Sequence, residues 1–183
     1  LLYRWGNPEN YNQGDESDKI LSAQQGLNWI PVGYPGEGNL ILFNNFHTES
    51  ASAVLEIVTP INENGNYNIN GNGVFGPESW EWGYFGDVTT PMQGGAFRLS
   101  NGNTLITQTH TARIIEVDMN GEILWDFSFE SAIANHWIAR AQKYGYDYFT
   151  SQLLGDINQD NLVNVYDINI LVNFILGNDI NPI

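Results

Sequence analysis

The chain has 183 residues, a net charge of −15 with only six Lys and Arg, 13% aromatic residues, nineteen Gly and no Cys. That balance repels nucleic acid phosphates and anionic lipid, and no apolar run approaches the about 20 residues of a membrane helix, so neither partner is expected. The missing Cys excludes disulfide frameworks and thiolate metal sites. The chain opens at Leu1 without a basic or apolar leader pattern and is expected to be a fragment, with any targeting signal upstream.

Strands are predicted at Leu1–Trp5, Leu27–Val32, Leu40–Asn44, Ala53–Val58, Trp80–Phe85, Ala96–Leu99, Thr104–Thr107, Arg113–Asp118 and Ile123–Phe127. Their β-branched and aromatic content, partly alternating, favours strand over helix. Gly and Asn clusters separate them, including Pro35–Asn39, Ser100–Asn103 and Asn120-Gly121, and such residues supply the positive φ of tight turns.

The strands also repeat as a set. Gly38-Asn39-Leu40-Ile41-Leu42, then Ser52–Ile57, is echoed by Gly102-Asn103-Thr104-Leu105-Ile106, then Thr111–Val117. Each unit closes on a Trp-bearing strand, at Trp5, Trp82 and Trp125. A repeated four-stranded antiparallel unit predicts an all-β fold, a partial β-propeller over residues 1–150. On this reading the chain holds the outer strand of one blade and two full blades, Gln24–Phe85 and Gly94–Phe129. An ordinary antiparallel sandwich is the competing fold. Between His136 and Phe149, the run Trp137–Ala141 reads as a last strand pairing with an early blade or as a short helix.

Residues 151–183 form a second predicted domain. From Asp156, oxygen donors fall at loop positions one (Asp156), three (Asn158), five (Asp160), nine (Asn164) and twelve (Asp167), with the Leu162 carbonyl at seven. This is the spacing of a twelve-residue EF-hand loop, and the expected cofactor is Ca²⁺. Position six, usually Gly, is Asn161, which tolerates the left-handed conformation better than most residues. Val165, Ile168, Leu171, Val172 and Ile175 follow at helical spacing, and Gly177 ends the pattern.

Gly155–Gly177 resembles the first half of a type I dockerin, with Asp at the twelfth place and a Val-Asn pair before it. The resemblance implies a cohesin-like module or another anchoring surface as partner. Residues 1–130 resemble bacterial arylsulfate sulfotransferases, through Arg4-Trp5-Gly6-Asn7-Pro8, the Trp29–Asn45 stretch and Gly94–Ile106. That family implies a secreted propeller, extracellular or periplasmic, moving a sulfuryl group from an aryl sulfate to a phenol. Its transiently sulfated His follows a Gln, and the matching pair here is Gln24-Gln25. A carboxamide does not form that intermediate at a useful rate, so Gln25 implies a lost activity, another nucleophile or a displaced motif.

The remaining candidates are His47 and His110, which follow the second strands of successive units, and Arg98 on an inner strand. The two His can serve as base, nucleophile or sulfate ligand, or stand as solvated loop residues. Arg98 can hold an anion at the ring's centre or pair with a buried acid. His136 reads as structural. Two functions therefore compete: a sulfotransferase-like propeller, and a non-catalytic propeller that binds a ligand or partner and docks through its calcium segment.

Overall fold

Short β-branched and aromatic runs broken by Gly and Asn fold into eight strands. A single α-helix and two short 3-10 helices accompany them among the residues that the computed structural model describes: 2–129, 137–145, 148 and 155–177. The chain divides into two compact units, residues 1–143 and 144–183, a division that falls before the expected 150/151 boundary. In the first unit, β1 (Gln24–Trp29), β2 (Leu40–Asn44), β3 (Ala53–Ile57) and β4 (Trp82–Tyr84) form one antiparallel sheet in chain order. The second sheet repeats it with β5 (Gly95–Arg98), β6 (Thr104–Gln108), β7 (Arg113–Val117) and β8 (Ile123–Ser128).

The sheets pack face to face. In the first, the register Ile41↔Glu56, Phe43↔Val54, Val54↔Tyr84 and Glu56↔Trp82 puts these side chains on one face. In the second, Ala96↔Ile106, Ile106↔Ile115, Arg98↔Thr104 and Thr104↔Val117 define the face that meets it. Ile41, Phe43, Val54 and Tyr84 join Ala96, Ile106, Ile115 and Val117 in one buried cluster. Gly94 lets the chain pass close to this core: its φ is +90°, and an added Cβ would stand 2.9 Å from the Phe43 ring.

One ion pair is buried in this interface. The Arg98 guanidinium bonds the Glu56 carboxylate, both side chains being almost fully enclosed. Asn39 donates to the same carboxylate at 2.6 Å, Arg98 donates to the Gly102 carbonyl at 2.9 Å, and the guanidinium lies 4.5 Å from the Trp82 ring centre. The other face of the first sheet buries Leu42, Ala53 and Leu55 with Leu21, and Trp5, Ile20 and Trp80 pack against them.

Two strand expectations need correction. Leu1–Trp5 was expected as the outer strand of a preceding blade, but residues 2–5 form no strand and pair with none among the described residues. Their neighbours are turn residues, so side chains hold them instead: the Tyr3 hydroxyl donates to Gly76 O at 2.9 Å and Trp5 Nε1 to Pro77 O at 2.7 Å. The strand expected over Leu27–Val32 starts at Gln24 and stops at Trp29. Gly26, at φ +64°, makes a bulge that carries pairing back to Gln24↔Asn44, and Pro31 lacks the N–H that a longer ladder needs. Trp137–Ala141 forms neither strand nor helix, and His136 lies outside the described residues. A four-stranded repeat is present, without ring closure among the described residues.

In the second unit, α1 (Val165–Ile175) begins at a capping box: Asn164 Oδ1 accepts from Tyr166 N and Asp167 Oδ2 from Asn164 N, each at 2.8 Å. Gly177, at φ +70°, follows its end.

Arg98→Met leaves the Glu56 charge buried without its counter-charge, with only the Asn39 bond remaining, and a loss of about 3–5 kcal/mol is expected from urea unfolding midpoints. The paired variant Glu56→Gln/Arg98→Met should recover a substantial part of that loss.

Candidate functional site

Strand order carries Gln25, His47 and His110 to corresponding ends of their sheets. Gln24 faces Asn44, so Gln25 and the β2–β3 loop that bears His47 share one end of the first sheet. Gly95 faces Thr107, so His110 sits at the matching end of the second. The side chains then part company. The His47 ring turns to Trp80 and Phe85, with centroid distances of 5.8 and 5.0 Å, beside the fourth strand rather than the first. Its Nδ1 is buried without a hydrogen-bond partner. His110 is exposed, with its ring 4.9 Å from that of Trp137, and its backbone N–H donates to Thr90 Oγ1 at 3.3 Å. Gln25 is exposed on β1.

Arg98 does not offer an open cation. Its charge is matched by Glu56 in the inter-sheet core, which is the paired-acid alternative for this residue. Among the described residues, no two of Gln25, His47, His110 and Arg98 are hydrogen-bonded, ion-paired or in ring contact with each other. A covalent sulfuryl relay needs a nucleophile within reach of cationic or hydrogen-bonding groups for the sulfate oxygens; of these four, Arg98 has its charge matched by Glu56, while Gln25 and His110 are exposed.

The polar centres that the first unit does assemble are acidic. Glu116 repeats Glu56 at the same step of the sheet: Asn103 donates to it at 2.7 Å, as Asn39 does to Glu56, and Lys143 bonds its other oxygen at 2.5 Å. Burial pushes the Glu116 carboxyl up, but the bonds from Asn103, Lys143 and Asn101, with the Lys143 charge, hold it below the ordinary value. Sequence reasoning assigned neither Glu a role. The signal was present in the aligned repeats, where Leu55-Glu56-Ile57 matches Ile115-Glu116-Val117. A cleft of about 590 Å³ between the Trp5–Ile20 segment and Asn70–Glu78 contains none of the four expected site residues.

The second unit brings its predicted residues together. Asp156 accepts from Asp160 N at 3.1 Å and from Asn161 N at 2.8 Å, and Asn158 Oδ1 accepts from Asp160 N at 3.2 Å. Asp160 accepts from Leu162 N and from Asn158 Nδ2, each at 2.8 Å. These bonds wrap the backbone around Asp156, Asn158 and Asp160. Asn161 takes the left-handed conformation at φ +67°, as position six of such a loop requires.

Asp167 closes the loop. One oxygen accepts from Ile157 N at 2.7 Å and Asn158 N at 3.2 Å, the other from Asn164 N at 2.8 Å. The Asn164 bond, opposed by burial and helped by those from Asn158 and Ile157, holds this carboxyl below its ordinary value. The donor chemistry suits a hard cation: three carboxylates, two carboxamides and the Leu162 carbonyl, all oxygen. Each carboxylate has more lone pairs than the N–H groups it accepts. Among the described residues no group of three or more His, Cys, Asp and Glu forms a metal-holding cluster by itself, so the set depends on Asn158, Asn164 and Leu162 as well.

Asp167→Ala frees three N–H groups at once and removes one half of the capping box of α1, the bond from Asn164 N. The full chain should lose helical far-UV dichroism, whereas Asp167→Asn, which keeps an acceptor oxygen, should lose less.

Comparison with protein-family models, with curated proteins and with solved structures gives no match for this chain.

Proposed function

We propose that this chain joins a propeller-type β scaffold, which binds rather than catalyses, to a calcium-ordered docking segment. The observation that carries the reading is the loop from Asp156 to Asp167. Its side-chain oxygens are already gathered by backbone N–H groups and lead directly into a capped helix. When bound, Ca²⁺ would supply positive charge to offset the three loop carboxylates. Asp156, Asn158, Asp160, Asn164, Asp167 and the Leu162 carbonyl are the residues to hold it. Asp167 keeps the two ends of the loop together, so binding and helix order are coupled through one side chain.

The docking role is supported by α1 itself. Ile168, Leu171, Val172 and Ile175 are all exposed, an apolar stripe of the kind that marks a contact with another protein. The dockerin resemblance makes a cohesin-like module the natural partner. An extracellular or periplasmic setting agrees with a loop of this kind, because extracellular EF-hand modules work at about 10⁻⁴–10⁻³ M Ca²⁺. For the β scaffold, a propeller is favoured over a sandwich by two four-stranded antiparallel meanders of the same strand order and by the Asn–Glu device that recurs in each.

Titration calorimetry of the full chain with CaCl₂ should give one binding event, weakened at least about tenfold by Asp156→Ala, a loss of about 1.4 kcal/mol. A variant that binds Ca²⁺ as tightly as the parent overturns the ligand assignment.

A second reading keeps the sulfotransferase ancestry. Gln25 is exposed at the leading end of β1, where a His would meet no steric obstacle from the core. Under that reading Gln25→His gives measurable transfer from an aryl sulfate to a phenol, where the parent gives little. A folded Gln25→His protein without any gain leaves the binding reading alone.

A further inference from the structure

The two sheets differ most in one connection. Residues 118–122 join β7 to β8, whereas residues 58–81 join β3 to β4. A connection longer than about 12–15 residues without strands or helices of its own is uncommon and usually serves a function.

This connection is built from a short tandem repeat. The pattern Ile-Asn-x-Asn-Gly-x-aromatic runs over 61–67 and again over 69–75. Each copy folds into a tight turn closed by a bridge, Ile61↔Tyr67 and Ile69↔Phe75. Asn62 Oδ1 accepts from Asn64 N and Asn66 N, and Asn70 Oδ1 from Asn72 N and Val74 N, each at 3.0 Å. The aromatic residue that ends each copy anchors it to the start of the chain. Tyr3 stacks on Tyr67 with ring centroids 4.4 Å apart, Tyr11 meets Phe75 edge-on at 5.6 Å, and the Tyr11 hydroxyl accepts from Phe75 N at 3.2 Å. With the bonds from Tyr3 and Trp5 to the Gly76 and Pro77 carbonyls, these contacts hold both walls of the 590 Å³ cleft. The cleft is thus preformed, and its volume lies within the range of about 300–1,000 Å³ typical of small-molecule sites.

Its floor is carbon and its rim is polar. Trp5, Ile20, Val74 and Pro77 line it half-buried, and Trp5 Nε1 is engaged by the Pro77 carbonyl, so the indole offers only ring surface. Asp18, Asn70, Asn72 and Glu78 are the exposed polar side chains around that floor. Among the described residues no protein group bonds the Asn72 carboxamide or the Glu78 carboxylate, and Asn70 Nδ2 and Asp18 Oδ1 are open as well. The rim therefore presents amide donors beside carboxylate acceptors.

This chemistry excludes several ligand classes. No Lys, Arg or His lines the cleft among the described residues, and two carboxylates flank it on a chain of net charge −15, so sulfate, phosphate and carboxylate ligands are repelled. A wholly apolar ligand would strip water from the rim without replacing its hydrogen bonds. A cationic amine would suit Asp18 and Glu78 but not the amide donors of Asn70 and Asn72. A molecule with C–H faces and several hydroxyls suits floor and rim together.

We propose that this cleft binds a neutral saccharide. Its ring carbons lie on the surface of Trp5 and the neighbouring aliphatic groups, its hydroxyls donate to Asp18 and Glu78, and its oxygens accept from Asn70 and Asn72. The proposal rests on the reading of the β scaffold as one that binds, and names the ligand class.

The test applies the full chain to an array of neutral, sulfated and amino-sugar oligosaccharides, followed by calorimetry with the neutral oligosaccharide that binds best. Binding confined to neutral members is expected. Asn72→Arg and Glu78→Arg, both on the exposed rim, should each weaken it at least about tenfold with unchanged urea midpoints. Glu122→Arg, an equal change of charge on the other sheet, should bind as the parent does. No neutral oligosaccharide bound, retention by sulfated or amino members alone, or affinity untouched by both rim variants overturns the proposal. Asp156→Ala should leave saccharide affinity as it was, and a loss there would move binding to the second unit and overturn it too. Failure of the binding reading is distinguishable: release of reducing ends from the bound oligosaccharide ends that reading and leaves the site. An empty array beside an intact Ca²⁺ titration removes the site and leaves the docking segment.

Discussion

The first unit depends on a charge taken out of water. Glu56 and Arg98 each belong to a different sheet, and neither could be buried alone without a penalty of several kcal/mol. Asn39, the Gly102 carbonyl and the face of Trp82 complete the shell, so a shift of one sheet against the other would part the two charges and leave them buried alone. The aliphatic contacts around it are tolerant of sliding by comparison, since Ile, Val and Phe can repack. Stability thus comes chiefly from the apolar cluster, and the unique fit from the pair at its margin.

Much of this was legible in the sequence as periodicity. The Gly-Asn turns, the alternating runs and the Trp-bearing fourth strands gave two four-stranded units within a few residues of their observed limits. The misses have local causes. Leu2–Trp5 has strand-like composition, but composition does not supply a neighbouring ladder. The position of β1 was misjudged because a bulge at Gly26 is invisible to a period-two count. For the candidate site, topology was readable and side-chain direction was not. His47 sits where strand order put it, yet its ring joins an aromatic group whose members come from residues more than thirty positions away.

The loop of the second unit was far more legible, because its chemistry is local. Asp156, Asn158 and Asp160 alternate so that each can bond a backbone N–H two to five residues ahead, and such bonds need no distant partner. Sequence spacing did not reveal that Asp167, offered as a ligand, also works as the clasp of the loop and as one half of the helix's capping box. A carboxylate with two structural duties leaves little room for exchange: its charge, its length and its position are each fixed by a different neighbour.

The placement of the few cations has a consequence for how this protein meets its solvent. Of the six Lys and Arg, Arg98 and Lys143 are committed to the two Asn–Glu centres and Arg113 to Asp126 and Asp87. The outer surface is left overwhelmingly negative, and its self-repulsion is long-ranged when ions are dilute. Mobile counterions relax that repulsion within about 10 Å at 0.1 M ionic strength, whereas the enclosed Glu56–Arg98 contact is hardly screened at all. Brine therefore works on the skin of the molecule and spares its interior, which makes a concentrated electrolyte a gentler medium for this chain than pure water.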